Sequence, residues 1–82
     1  MTIQSIFELP EVLLYLEARQ LVKQYQKAKR YILLGHLKQV YFKLRQPKEK
    51  GIYAFRINKQ FRALCVYKQN TLRVFAIDNH QN

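Results

Sequence analysis

Few residue types in this chain could make or break a covalent bond, and most of those are cationic. Arg56 and Arg62 each follow an aromatic, in Phe55-Arg56-Ile57 and Phe61-Arg62-Ala63, with the polar segment Asn58-Lys59-Gln60 between the two runs. Neighbouring side chains on a strand point to opposite faces. If Phe55 and Phe61 enter a core, their arginines project from the other side, and a hairpin would bring the two guanidiniums near each other. Such a pair can clamp a phosphate; solvated strand charges are the plainer alternative. His80 stands near the C-terminus in Ile77-Asp78-Asn79-His80. An imidazole titrates near neutral pH and can pass a proton, although a histidine so placed is ordinarily a surface residue. Lys48, Lys50 and Lys59 fall in loops flanking the same segments, as mobile phosphate contacts or as solvated charges. Arginine, lysine, histidine and tyrosine suit one reaction well, the cleavage of RNA. A base removes the 2′-hydroxyl proton, cations stabilise the pentavalent phosphorane, and an acid protonates the departing 5′-oxygen.

Other chemistries lack their residues. Ser5 is the only serine, so there is no nucleophile motif, and one cysteine with two histidines gives no metal-ligand spacing. Two glycines cannot build a glycine-rich phosphate cradle, and five scattered acids do not suggest a paired-carboxylate site. No metal or cofactor is expected. Cys65 lies in the apolar run Ala63-Leu64-Cys65-Val66-Tyr67, so it reads as a buried structural thiol.

Charge narrows the partner. Fifteen Lys and Arg against five Asp and Glu give a formal net charge of +10. All the basic residues lie between Arg19 and Arg73, where Glu49 is the lone acid. A field of one sign repels itself and costs stability; a phosphate backbone offsets that cost through counterion release. An acidic protein is the other polyanion such a surface fits. No run approaches the roughly 18 apolar residues of a membrane span. The first eighteen residues carry Glu8, Glu11 and Glu17 but no Lys or Arg, unlike a secretory signal. A cytoplasmic protein without membrane contact is therefore expected.

The elements that must position these residues can be read in order. The 82 residues suffice for a single domain, 1–82. Thr2 to Leu9 reads as a strand. Pro10 suits the first turn of a helix and Glu11 its positive end, and helical composition then runs from Glu11 to Leu34. Val12, Leu13 and Leu16, then Leu21, Tyr25, Ala28 and Ile32, keep helical spacing. The phase slips at Ala18-Arg19-Gln20, which predicts two helices in a hairpin, or else one bent helix. Gly35 is the expected C-cap; His36 follows it, where positive charge suits the helix dipole. Leu37 to Leu44 alternates and is expected to be extended, carrying Lys43 and, just beyond, Arg45. Gln46 to Gly51 is a loop. Strands are expected at Ile52–Ile57, Phe61–Lys68 and Leu72–Ile77, joined by turns at Asn58-Lys59-Gln60 and Gln69-Asn70. The sum is an α+β fold, two N-terminal helices packed on one face of a small twisted, mainly antiparallel sheet.

The C-terminal half resembles a known family. Gly51-Ile52-Tyr53-Ala54-Phe55-Arg56-Ile57-Asn58, the turn, Phe61-Arg62 with its apolar strand, and the ending Asp78-Asn79-His80 resemble the RelE/ParE/HigB superfamily of toxins from bacterial toxin–antitoxin pairs, including its YoeB-like branch. The likeness covers residues 51–80. It implies a ribosome-dependent mRNA endoribonuclease that acts without metal or cofactor and is held inactive by an acidic antitoxin wrapped over the sheet. By this resemblance Arg62 is the phosphate-stabilising arginine, His80 the acid, and Arg56 a basic residue on the preceding strand. Lys43, Arg45, Lys48, Lys50 and Lys59 would contact RNA. Where the YoeB-like branch has a glutamate base, the ungapped match here is Lys43; the base is thus unassigned, with Lys48 and Lys50 as candidates. The tyrosine that follows the histidine in some relatives is Gln81 here. Two other readings stay open, a ParE-like inhibitor of DNA gyrase and a non-enzymatic basic module that binds RNA or the ribosome.

Overall fold

Pro10 at the first helical position and Glu11 in the first turn start helix α1, Pro10–Ala18, in a computed structural model that describes residues 1–79. The helix stops where Gln20 takes φ 58 and the Leu21 N–H bonds back to the Leu16 carbonyl at 2.8 Å. Helix α2, Val22–Leu33, follows. The phase slip therefore marks two helices. Tyr25, Ala28 and Ile32, with Leu21 just before them, are buried, which is the 4-3-4 spacing of one helical face. The end of α2 is closed by Gly35 at φ 83. Its N–H bonds to Ile32 at 3.0 Å and the His36 N–H to Tyr31 at 2.8 Å, the two bonds of a Schellman cap. His36 and Tyr31 also meet edge to face.

Five strands form one sheet: β1 Ser5–Glu8, β2 Lys43–Leu44, β3 Ile52–Arg56, β4 Phe61–Lys68 and β5 Thr71–Asn79. Their order is β1-β5-β4-β3-β2, with β1 parallel to β5 and the other pairs antiparallel. Short turns fix the register. Asn58 Oδ1 accepts from the N–H groups of Gln60 and Phe61 at 2.8 and 2.9 Å, closing the β3–β4 hairpin. Gln69 and Asn70 both have positive φ, 51 and 65, as a two-residue turn matched to strand twist requires. On β5, Ala76 pairs with Leu64 and Val74 with Cys65, so Phe75 is the extra residue of a bulge.

The two helices cover one sheet face. Val12, Leu16, Leu21, Tyr25, Ala28 and Ile32 close over Phe55, Ala63, Cys65, Leu72 and Val74. Phe55 is fully buried and stacks on Tyr25 at 6.1 Å; truncating such a phenylalanine costs about 3–5 kcal/mol. Cys65 is buried as expected, and burial pushes its thiol up to about 12. Edge strand β1 is tied down by Glu8, whose Oε2 accepts from Tyr25 Oη at 2.8 Å and Lys29 Nζ at 2.7 Å. Burial first, and the Glu8 carboxylate second, hold the Tyr25 phenol far above its ordinary range.

One expectation needs correction. Leu37–Val40 is a 3-10 turn, and only Lys43–Leu44 of the expected extended segment forms a strand. Leu37 and Val40 are three residues apart, so one tight turn brings both against the core, where Val40 is buried. The alternation of Val40, Phe42 and Leu44 belongs to the last part of the segment, whereas the three-residue step from Leu37 to Val40 fits a 3-10 turn and not a strand. Among the described residues, no helix is long and apolar enough to cross a membrane.

Candidate nucleic-acid interface

Strand pairing decides where the arginines go. Arg56 and Arg62 are direct partners across β3 and β4, on the face away from the helices. The neighbouring pair, Ile57 and Phe61, carries the ladder bond, Ile57 N–H to Phe61 carbonyl at 2.9 Å. Arg56 and Arg62 therefore form a non-hydrogen-bonded pair, the closer of the two antiparallel arrangements at about 4.5 Å between Cα atoms. Like charges placed opposite each other destabilise a sheet. Here the neighbours on either side offset that repulsion. Asp78 on β5 is Arg62's other cross-strand partner, and the Arg56 guanidinium lies 4.1 Å from the centre of the Tyr41 ring, where a cation is attracted to the π-face.

Ala54, two residues before Arg56, has a side chain too small to fill the space above it. A cavity of about 250 Å³ results, lined by Lys43, Arg45, Ala54, Arg62 and Asp78. Arg45 reaches across the sheet from the end of β2 to place Nη1 3.9 Å from Asp78 Oδ2. That pair is half-open to water and adds little to stability. Its effect is positional, holding three cations around one carboxylate. A second cavity of about 370 Å³ adjoins the end of β3, between α2 and the 3-10 turn, with Gln24, Lys27, Tyr31, Gln39 and Arg56 on its walls. Arg56 thus borders one hollow and stands beside the residue that lines the other.

Two arginine atoms are unsatisfied. Arg56 Nε and Arg62 Nη1 are buried and have no hydrogen-bond partner among the described residues. A buried donor without an acceptor is costly and uncommon. Both belong to the facing pair, and both are the kind of N–H that a phosphate oxygen accepts.

The structure gathers some of the sequence candidates and separates others. Arg56 and Arg62 face each other, with Lys43 and Arg45 in the Arg62 cavity. Lys50 lines a smaller neighbouring hollow with Arg45, Ile52, Leu64 and Phe75. Lys48 is exposed on the turn Lys48–Lys50 and lines none of these cavities. Lys59 is exposed at the hairpin tip, beside Asn58, whose amide bonds to Gln24 of α2. His80 lies outside the described residues. Two site residues were not singled out from sequence. Asp78 was visible inside the terminal Asp-Asn-His, but only strand register reveals that it opposes Arg62. Tyr41 carried no signal, because its place depends on a left-handed backbone that tyrosine seldom adopts.

No protein-family model matches the chain, and no curated protein matches it in sequence. Solved structures do. Two structures of the YoeB–YefM toxin–antitoxin complex from Staphylococcus aureus, one described as heterotetrameric, each contain a chain that superposes with a TM-score of 0.68 at 17% identity. The superposition covers 93% of this chain and 95% of the other. The arrangement of two helices on a five-stranded mixed sheet is therefore a YoeB-like fold.

Proposed function

We propose that this chain is the toxin of a toxin–antitoxin pair, a cytoplasmic endoribonuclease that cuts mRNA on the ribosome and needs no metal or cofactor. The facing Arg56–Arg62 pair carries this reading, with its two unsatisfied N–H donors beside a carboxylate-bearing cavity. Arg62 and Arg56 bind the scissile phosphate and stabilise the added negative charge of the phosphorane. Lys43 and Arg45 meet the flanking backbone, with Lys50, Lys48 and Lys59 as outer contacts. Asp78 is the carboxylate in the cavity, and ionised it can accept the 2′-hydroxyl proton; Lys48 and Lys50, outside that cavity, are weaker candidates for the base. The 2′-oxygen bonds to phosphorus as the bond to the 5′-oxygen breaks. His80, two residues after Asp78, gives that oxygen its proton, which leaves a 2′,3′-cyclic phosphate and a 5′-hydroxyl. The charge of +10 fits both the RNA and an acidic antitoxin as partners.

Mapping mRNA 5′ ends after a brief pulse of expression tests the proposal. New ends should appear inside translated messages within minutes, and growth should stop. Arg62→Ala and His80→Ala should each remove the new ends and restore growth. DNA breaks and filamentation without new ends would replace this reading with gyrase inhibition. Salt-dependent RNA binding without any cleavage on ribosomes would replace it with a binding module.

A further inference from the structure

Tyr41 occupies a place that core packing does not explain. It follows the 3-10 turn with φ 53 and ψ 40, in the left-handed region that glycine and asparagine enter far more readily. Backbone bonds hold it there: its N–H reaches the Lys38 carbonyl and the Phe42 N–H the Leu37 carbonyl, both at 3.2 Å. Phe42, the next residue, turns inward and stacks on Tyr53 at 5.1 Å. Tyr41 instead points outward with 59% of its surface exposed. The Arg56 guanidinium lies 4.1 Å from the centre of its ring. A guanidinium covers only one side of a phenol ring, and more than half of the residue's surface is open to solvent. Strained backbone, an exposed aromatic and a contact to a phosphate-binding arginine coincide at one residue. Such strain persists where the surroundings over-determine it, most often at functional sites.

We infer that Tyr41 is a nucleobase-stacking residue, gripping the base next to the phosphate held by Arg56 and Arg62. The inference rests on the reading of that pair as an RNA site. Every base offers a π-face, so an aromatic platform beside a cationic groove is a sequence-tolerant way to hold a single strand. Arg56 serves both parts, since it fixes the ring and meets the phosphate, and a ring already immobilised loses less freedom when a base arrives.

The chain contains no tryptophan, so Tyr41→Trp places a single indole at the proposed contact. Titration with a 2′-O-methylated RNA oligonucleotide, which cannot be cleaved, should quench its emission. Inorganic polyphosphate supplies the charge without bases and should leave the emission unchanged. Tyr41→Asn removes the ring and keeps a residue that tolerates the left-handed backbone. It should melt no lower than the wild type and bind the same oligonucleotide about 5- to 150-fold more weakly. Its salt dependence should be unaltered, because no phosphate contact is lost. Equal quenching by polyphosphate and RNA, or undiminished RNA binding by Tyr41→Asn, would overturn the stacking role and leave the RNA site standing. A wild-type chain that binds no RNA would overturn both.

Discussion

Arg62→Ala separates architecture from chemistry better than any other change to the sheet. Arg62 faces Arg56 on one side and Asp78 on the other, so its removal deletes one repulsion and one attraction of similar range. At about 5 Å, unit charges interact by about 0.8 kcal/mol in water and about 3 kcal/mol at an effective dielectric of 20. The two contributions oppose each other, and all three side chains are partly open to solvent, so the net change in stability should stay below about 1 kcal/mol. For a domain of this size that is a shift in melting temperature of less than about 8 °C, in either direction. Cleavage has no such cancellation. Losing one preorganised donor to a developing oxyanion costs about 10²–10³-fold in rate. Arg62→Lys keeps the charge but not the planar fork and should fall between the two. The assay is single-turnover cleavage of a defined mRNA on purified ribosomes, alongside thermal melting by circular dichroism. Wild-type cleavage by Arg62→Ala, or its collapse into an unfolded chain, would refute the argument that the arginine pair is maintained for phosphate at small cost to the fold.

Three further outcomes follow from other parts of the molecule. Glu8→Ala leaves the buried Tyr25 hydroxyl without an acceptor and should cost about 1–3 kcal/mol; adding Tyr25→Phe should recover part of the loss in chemical denaturation. With the Cys65 thiol raised from 9.0 to about 12 in the folded state, the native chain holds its proton where the unfolded chain releases it. Stability is then fully present below pH 9 and falls as pH rises toward 12, by about 4 kcal/mol for this group. Tyr25 acts in the same direction, and Cys65→Ala should flatten the alkaline limb of a denaturation series. Four phosphate contacts, from Lys43, Arg45, Arg56 and Arg62, predict a slope of about −3 for log affinity of single-stranded RNA against log salt, reduced by about 0.7 for each cation removed. A slope near zero in fluorescence anisotropy would contradict an electrostatic groove.

The helices and the three-stranded meander were legible because each has a repeated spacing or a turn with one physical meaning. Tyr25, Ala28 and Ile32 mark a helical face, Gly35 its end, and Asn58 and Asn70 the two hairpins. Residues 37–40 were misread because the alternation of Val40, Phe42 and Leu44 was extended back over Leu37, whose three-residue step to Val40 fits a 3-10 turn instead. Arg56 and Arg62 could be identified from their aromatic neighbours, since Phe55 and Phe61 force them outward. Asp78 and Tyr41 come to stand beside Arg62 and Arg56 through register and backbone conformation, which no local pattern in the chain encodes.

The parallel pairing of β1 with β5 has a temporal consequence. Ser5 lies beside Thr71, so β1 must wait for β5, which is synthesised more than sixty residues later. Until β5 has emerged from the translating ribosome, the first strand has no ladder to join, and Arg62 has no carboxylate opposite it. A nascent chain stalled before Thr71 lacks the strand that carries Asp78 and cannot complete the cavity lined by Arg62 and Asp78. The chain order therefore withholds the Arg62–Asp78 pairing, and the cavity the two residues line, until β5 has been made.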